Sequence, residues 1–395
     1  MKKYVLAVYL FYHRLMIQFC WLICSVLPID PRKAVFSNFN GGGYGDNPAF
    51  IAEELLRRKS DCRIYWVSAN RGDRFPEAVR RVRPNTPRFV YHMSTAGVWV
   101  DNTRKLYKFR KKRQQFYIQT WHGGPGLKRV EGDCMEALGR QYISYAKKDS
   151  EAIDLFLSCC RWCTELYRRS FWYQGEILER GIPKNDLYFT DRAFIREKVL
   201  AYFGCTSDTK LALYAPTYRG DQDTDALYSL DYEKVLRALE DRFPGKWKIL
   251  VHLHPNVNPA AYPIPVLPDV ADAGPYPYMQ ELLAGCDVLF SDYSGCAFDF
   301  LLMEKPCFLY ANDAEEMERN KGFYFRPEEL PFPFARTGQE LLGQIRSFSQ
   351  EAYLKKCGVW LSRIGYFDTG HASEAAAERI EARIQRKEKR SGTGT

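Results

Sequence analysis

Four short polar clusters in this 395-residue chain each follow directly on an apolar run. Thr120-Trp121-His122-Gly123-Gly124 follows Tyr117-Ile118-Gln119, and Ala215-Pro216-Thr217-Tyr218-Arg219 follows Leu211 to Tyr214. His254-Pro255 follows Ile249 to Leu253, and Ser291-Asp292-Tyr293-Ser294-Gly295 follows Val288-Leu289-Phe290. In open parallel sheets, ligands bind just beyond the carboxyl ends of the strands. If the apolar runs are strands, the clusters gather along one edge of each sheet.

Their chemistry is proton transfer and anion binding. His122 stands between an aromatic residue and two glycines. Glycine lets a substrate approach the backbone, and a histidine near its ordinary pKa can take a proton from an alcohol. A structural histidine would read the same way. Of the six histidines, however, three (His122, His252 and His254) fall at predicted strand ends, which favours a working pair in His122 and His254. Ser294 and Gly295 open a predicted helix that leads to Asp299. Free N–H groups and a positive dipole end suit a phosphate there, although an ordinary N-cap has the same residues. Arg219 could clamp phosphate oxygens. The loop Gly41 to Gly45 is glycine-rich but lacks the G-x-G-x-x-G spacing and a following lysine.

The elements needed to position these groups alternate along the chain. Strands are predicted at Lys33–Ser37, Cys62–Ser68, Arg88–His92, Val98–Asn102 and Gln115–Gln119, with a helix over Ala49–Arg58. Glu151 to Tyr173 reads as mostly helical, and the turn-rich Gly181-Ile182-Pro183-Lys184-Asn185-Asp186 precedes a domain boundary. The second half repeats the pattern, with strands at Lys210–Tyr214, Lys248–Leu253, near Val266, Asp287–Phe290 and Cys307–Tyr310. Such alternation implies an α/β fold of parallel sheets with helices on both faces. The predicted divisions are an apolar helix in 1–30, a first domain in 31–188, a second in 189–385 and a disordered basic tail in 386–395.

Composition narrows the class. An apolar share of 46% excludes a disordered scaffold, and the length suits two domains. A net charge of +9 favours acidic partners, with basic residues concentrated between Arg104 and Arg113. No nucleic-acid motif accompanies that charge. Twelve scattered cysteines suggest a reducing compartment. Cys160 and Cys163 have CxxC spacing and Cys159 abuts them, but no second pair completes a zinc-finger pattern. A helix carrying several thiols explains them, and no metal centre is predicted. Residues Tyr4 to Ile29 are largely apolar, but His13, Arg14 and Gln18 interrupt them. An interfacial helix lying in a membrane surface fits better than a clean span.

Taken in order, the clusters resemble the CDP-glycerol glycerophosphotransferase family of teichoic acid synthesis. The resemblance runs from about Phe36 to Phe325. Its pieces are Ser37-Asn38 with Asp46-Asn47-Pro48, Gln119-Thr120-Trp121-His122-Gly123, Gly181 to Asp186, Tyr214 to Arg219, His254-Pro255, Asp292-Tyr293-Ser294 with Phe298-Asp299, and Lys305-Pro306 with Asp313 before Gly322. The chain departs from the family pattern just after His122, where His122-Gly123-Gly124-Pro125-Gly126-Leu127-Lys128 is one residue longer and lacks a usual threonine.

The resemblance implies two Rossmann-like domains facing across a cleft, the GT-B arrangement, in a peripheral enzyme on the cytoplasmic face of the cell membrane. It implies no cofactor: CDP-glycerol or CDP-ribitol is the donor substrate, and the acceptor is a lipid-linked glycan or polyol-phosphate chain near an anionic membrane. It makes His122 the general base and His254 the second essential histidine, near the donor phosphates. It places Ser294, Gly295, Asp299, Arg219, Thr217 and Asp292 on the donor side, and Gly123, Gly124, Lys128 and Asn47 on the acceptor side. Two rivals remain: a glycosyltransferase using a nucleotide sugar on the same fold, and a non-catalytic membrane-bound scaffold.

Overall fold

Two parallel sheets with the same winding organise the chain in a computed structural model, which describes all residues except 1, 106–110, 219–229, 255, 258–261 and 393–395. The first sheet contains β1 (Asp30–Ser37), β2 (Arg63–Val67), β3 (Arg80–Val82), β4 (Ala96–Asp101), β5 (Phe116–Gln119), β6 (Leu155–Ser158) and β7 (Glu176–Glu179). Its order is β3-β2-β1-β4-β5-β6-β7. The second contains β8 (Lys210–Tyr214), β9 (Trp247–Val251), β10 (Val270–Asp272), β11 (Val288–Ser291), β12 (Cys307–Tyr310) and β13 (Phe334–Ala335), ordered β10-β9-β8-β11-β12-β13. Each sheet reverses direction beside its first strand, between β1 and β4 and between β8 and β11, and such switch points open a crevice at the strand ends. The central strands are buried on both faces, which explains continuous apolar runs such as Val98-Trp99-Val100 and Leu211-Ala212-Leu213.

Three expectations change. Arg88–His92 is not a strand but lies within a helix, Pro87–Thr95. Thr86 caps that helix, its hydroxyl accepting from the Phe89 N–H at 3.2 Å, and Pro87 occupies the first turn. Glu151–Tyr173 is not mostly helical, because Leu155-Phe156-Leu157-Ser158 forms the buried strand β6 between helices Arg140–Ala152 and Arg161–Arg169. A short apolar run does not by itself distinguish strand from helix. The short strand expected near Val266 lies at β10, while Val266 is fully exposed.

The ends of the chain also depart from the simple division. The last helix, Ala372–Gly392, extends past Arg386 where a disordered tail was expected. It returns to the first sheet, burying Ala376, Ala377, Ile380 and Ile384 with Ile51, Leu55, Val98 and Ile118. Two alanines let the helix approach closely, and Asp186 receives its first N–H groups, from Ala372 at 2.9 Å and Ser373 at 2.7 Å. Both termini therefore belong to the first domain, and the second domain does not run to residue 385. At the other end, helix Lys2–Ser25 packs Ile17, Cys20, Trp21 and Cys24 against the core. Tyr9, Phe11, Tyr12, Phe19 and Leu22 on it are exposed. No helix among the described residues is long and apolar enough to cross a membrane.

Among the described residues of the basic run, Arg104, Lys105, Lys111 and Lys112 are tied inward, while Arg113 is exposed. Arg104 is buried against Glu131 at 3.3 Å and Asp149 at 3.4 Å, Lys105 meets Asp101 at 2.5 Å, and Lys111 meets Asp154 at 2.8 Å. Lys112 donates to the Cys24 and Leu27 carbonyls at the end of the first helix. Residues 106–110 lie outside the described residues.

Asp186→Ala removes the cap of the returning helix. It is expected to lower unfolding stability by about 1–2 kcal/mol, read by chemical denaturation; an unchanged midpoint and slope would show that the cap does not hold the helix in place.

Candidate active site

The carboxyl ends of the two sheets face each other across a cavity of about 630 Å³. His122, Gly123, Gly124 and Lys128 line it from the first domain, and Thr217, His252, His254, Ser294 and Gly295 from the second. The sequence clusters therefore meet in space, as strand-end geometry predicts.

His122 follows β5 through Trp121, whose φ of 52° turns the chain sharply at the strand end. The imidazole lies between Phe39 and Trp121, with ring centroids 5.2 and 4.3 Å away. Its Nδ1 is 2.8 Å from the Asn102 carbonyl oxygen. A carbonyl only accepts, so Nδ1 carries the proton and Nε2 keeps a free lone pair. Burial pulls the histidine below its ordinary pKa, and the Asn102 carbonyl and Asp46 only partly oppose it. The ring is thus held as a neutral base with a defined tautomer.

Asn102 was not singled out from the sequence, although it follows an apolar strand like the other cluster residues. Its amide donates to Asn38 Oδ1 at 2.7 Å and Asp46 Oδ1 at 3.1 Å, while its Oδ1 accepts from the Phe39 N–H at 2.8 Å. Three contacts to a fully buried amide leave its main-chain carbonyl little freedom.

His254 has the opposite pattern. Its Nδ1 accepts from the Asn256 N–H at 3.1 Å, so the neutral ring carries its proton on Nε2 and presents a donor. Burial and then Lys128 lower its pKa. The Lys128 charge comes from the first domain, so its field reaches across the cavity to a histidine of the second. Tyr218 stacks on the His254 ring at 5.3 Å.

Several of the predicted site residues also hold the framework of the site together. The Asp292 carboxylate is buried and accepts from the Thr217 N–H at 2.8 Å, the Thr217 hydroxyl and the Tyr293 N–H at 2.5 Å. It ties the loop after β8 to the loop after β11. Asn47 is wholly buried, donating to the Trp121 carbonyl at 3.0 Å and accepting from the Lys184 N–H at 3.0 Å. Asp299 pairs with Lys184 at 2.8 Å. Ser294 Oγ faces the cavity and accepts from the Cys296 N–H at 3.4 Å, while Gly295 has open space where a side chain would project. Arg219 lies outside the described residues.

Lys184, which the sequence reading included in the Gly181 to Asp186 motif without assigning it a role, is buried at the centre of the site. It belongs to the 3₁₀ helix Pro183–Phe189 of the first domain, whereas Asp299 belongs to helix Cys296–Leu301 of the second. Its ammonium also lies 3.2 Å from the His122 carbonyl oxygen and 4.0 Å from Asp46. Burial opposes the charge, but Asp299 and Asp46 hold the lysine well above its ordinary pKa. One buried cation therefore joins both domains and the backbone of the proposed base.

Residues 20–382 match the family model described as CDP-glycerol:poly(glycerophosphate) glycerophosphotransferase. The chain belongs to this family. It is 28% identical to a teichoic acid poly(glycerol phosphate) polymerase of Staphylococcus epidermidis over 90% of this chain and 51% of that protein. It is 27% identical to the polymerase of the same description from Bacillus subtilis over 91% of this chain and 50% of that protein. The chain thus spans about half the length of these two glycerophosphotransferase relatives. A solved structure of the wall teichoic acid polymerase TagF superposes with a TM-score of 0.84 at 26% identity, covering 98% of this chain and 97% of that one. The two-domain α/β arrangement is shared with that member of the family.

Lys184→Met leaves Asp299 buried without its partner and is expected to cost about 3–5 kcal/mol of stability. The double variant Lys184→Met with Asp299→Leu should recover much of that loss in denaturant unfolding. A double variant no more stable than the single one would contradict the pairing.

Proposed function

We propose that this glycerophosphotransferase-family chain moves glycerol phosphate, or a related polyol phosphate, from its CDP derivative onto a lipid-linked or polymeric acceptor. The observation that carries this reading is the pair of histidines on one cavity with opposite tautomers. His122 offers a lone pair and His254 offers a proton. A TagF variant with histidine replaced by asparagine has been solved after a soak with CDPG, and it is 26% identical to this chain. That relationship supports a CDP-linked donor here.

In the proposed reaction an acceptor hydroxyl oxygen attacks the phosphorus that bears glycerol. The bond from that phosphorus to the bridging oxygen breaks, and CMP leaves with the electron pair. The hydroxyl proton passes to His122 Nε2. His254 Nε2–H, the Ser294 hydroxyl and Lys128 are placed to meet the negative charge of the diphosphate. Gly123 and Gly295 leave room beside those groups. The neutral His122 ring and the shielding of its walls keep the base available without loss of its proton-accepting nitrogen to water.

The first helix supports a location at a membrane surface. Its exposed Tyr9, Phe11, Tyr12, Phe19 and Leu22 suit the boundary of a bilayer, with the rest of the helix docked on the protein. We place the enzyme on the cytoplasmic face of the cell membrane, beside a lipid-linked acceptor. Arg104, Lys105, Lys111 and Lys112 already have partners inside the protein, so the exposed apolar face of this helix is the attachment surface we propose.

Purified protein is to be incubated with an acceptor and, separately, CDP-glycerol, CDP-ribitol or UDP-sugars. Release of CMP from a CDP-polyol is the expected result; UDP from a UDP-sugar alone would establish the glycosyltransferase reading, and no nucleotide binding would favour a scaffold. His122→Ala should reduce CMP release by about 10²–10⁴-fold with an unchanged circular dichroism spectrum; near-normal turnover removes it as the base. Because its folded pKa lies below the ordinary 6.5, the base stays neutral as pH falls through that value. The acid limb of kcat/KM, which reports the free enzyme, is therefore expected below pH 6.5, and a limb above it would contradict the depressed pKa. Phe19→Asp with Leu22→Asp should reduce co-sedimentation with liposomes several-fold while leaving turnover of a soluble acceptor intact. Equal sedimentation of variant and parent would refute attachment through this helix.

A further inference from the structure

The turn between β6 and helix Arg161–Arg169 holds a cluster that phosphoryl transfer does not use. Cys159, Cys160 and Cys163 are all wholly buried. Their three sulfurs lie within 4.8 Å of one another, and those of Cys159 and Cys163 are 3.8 Å apart. Two thiolates on one tetrahedral zinc, with bonds of about 2.3 Å, stand about 3.8 Å apart. The sequence alone suggested a helix carrying unrelated thiols, because the third sulfur does not come from a second CxxC pair. It comes from the last turn of the strand-to-helix connection.

Two further observations point to a ligand. The Cys163 N–H donates to Cys160 Sγ at 3.3 Å, where the positive end of a nine-residue helix favours a thiolate. Tyr167, one turn further along that helix, is 1% exposed, and its hydroxyl is turned to the cluster, with the Cys163 thiol as its neighbour. All three sulfurs lie within electrostatic reach of that hydroxyl. Residues four apart on a helix share a face, which sets Tyr167 beside Cys163.

We propose that Cys159, Cys160 and Cys163 bind one zinc ion, with the Tyr167 oxygen at hand for the fourth position. Three soft sulfur donors in a compact set select zinc over magnesium or calcium. Binding replaces three S–H protons, released to solvent, with three Zn–S bonds. The oxidation state of every atom is unchanged. The sulfurs have no opening to solvent, so the ion is taken up as the chain folds.

The ion is structural, and its position explains what it would stabilise. A Cβ at Gly124 would fall 3.0 Å from Cys159 Sγ, so this sulfur packs directly beneath the loop that carries His122. The Phe367 N–H donates to the Cys159 carbonyl at 2.7 Å, and the Arg161 N–H to the Gly365 carbonyl at 2.9 Å. The same turn therefore anchors the segment returning from the second domain to the first. Zinc here would stiffen the floor of the cleft from below.

Full-length protein is produced in zinc-supplemented medium, dialysed against buffer and analysed by inductively coupled plasma mass spectrometry. The expected content is about one zinc per chain, released by a mercurial that captures thiolates. Protein produced with cobalt instead should show thiolate-to-cobalt absorption in the near ultraviolet. Cys163→Ser should lose the metal, whereas Cys307→Ser, a buried cysteine of the other domain, should keep it. Cys163→Ser carries a risk of misfolding, so the wild-type measurement decides independently. Wild-type protein with almost no metal, or a folded Cys163→Ser protein with full zinc, overturns the proposal.

Discussion

A lysine ammonium removed from water must meet negative charge, and much of the molecule is arranged around that requirement at Lys184. Burying one ion costs several kcal/mol even after relaxation. Asp299 offsets the cost from the second domain, Asp46 adds charge from the first, and the His122 carbonyl accepts a further hydrogen bond. Asn47 grips the Lys184 N–H and the Trp121 carbonyl together. Displacing one domain from the other would expose an unpaired charge on each side. The ion pair is therefore a fixed point of contact between the two domains.

From that anchor, the chemistry of the site follows through main-chain contacts. The Asn102 carbonyl places a proton on one nitrogen of His122, and the Asn256 N–H takes the lone pair of one nitrogen of His254. Identical side chains thereby present unlike groups to the cavity, a lone pair and a proton, and burial lowers the pKa of both rings. The same local structures hold the rings in orientation, so tautomer and geometry are determined together.

The buried polar framework extends beneath the first domain. Arg104 links Glu131 and Asp149, Tyr142 donates to Glu131 at 2.6 Å, and the Tyr117 hydroxyl donates to Asp149 at 3.2 Å. Burial pushes the Asp149 carboxyl up to about 6 despite the pull of Arg104. Trp121 and Phe171 flank the guanidinium, so the charge is enclosed by aromatic faces as well as carboxylates. This packing supports the loop leading to His122 and accounts for basic residues that composition alone assigned to an external partner.

The sequence by itself determined the parallel α/β character, the strand-end location of the polar clusters and the pair of histidines. Apolar runs and the residues that interrupt them are local properties, and strand direction converts them into a shared edge. The ordered motifs also indicated the glycerophosphotransferase family. Only the tertiary structure decided that Asp292, Asp299 and Asn47 brace the site, that Lys184 joins the domains, and that the last helix returns to the first sheet. A carboxylate or amide looks alike in sequence whether it meets a ligand or a buried partner. Its role depends on which distant residue folding brings within hydrogen-bond reach, and in a low-dielectric interior that proximity decides whether its charge is tolerated.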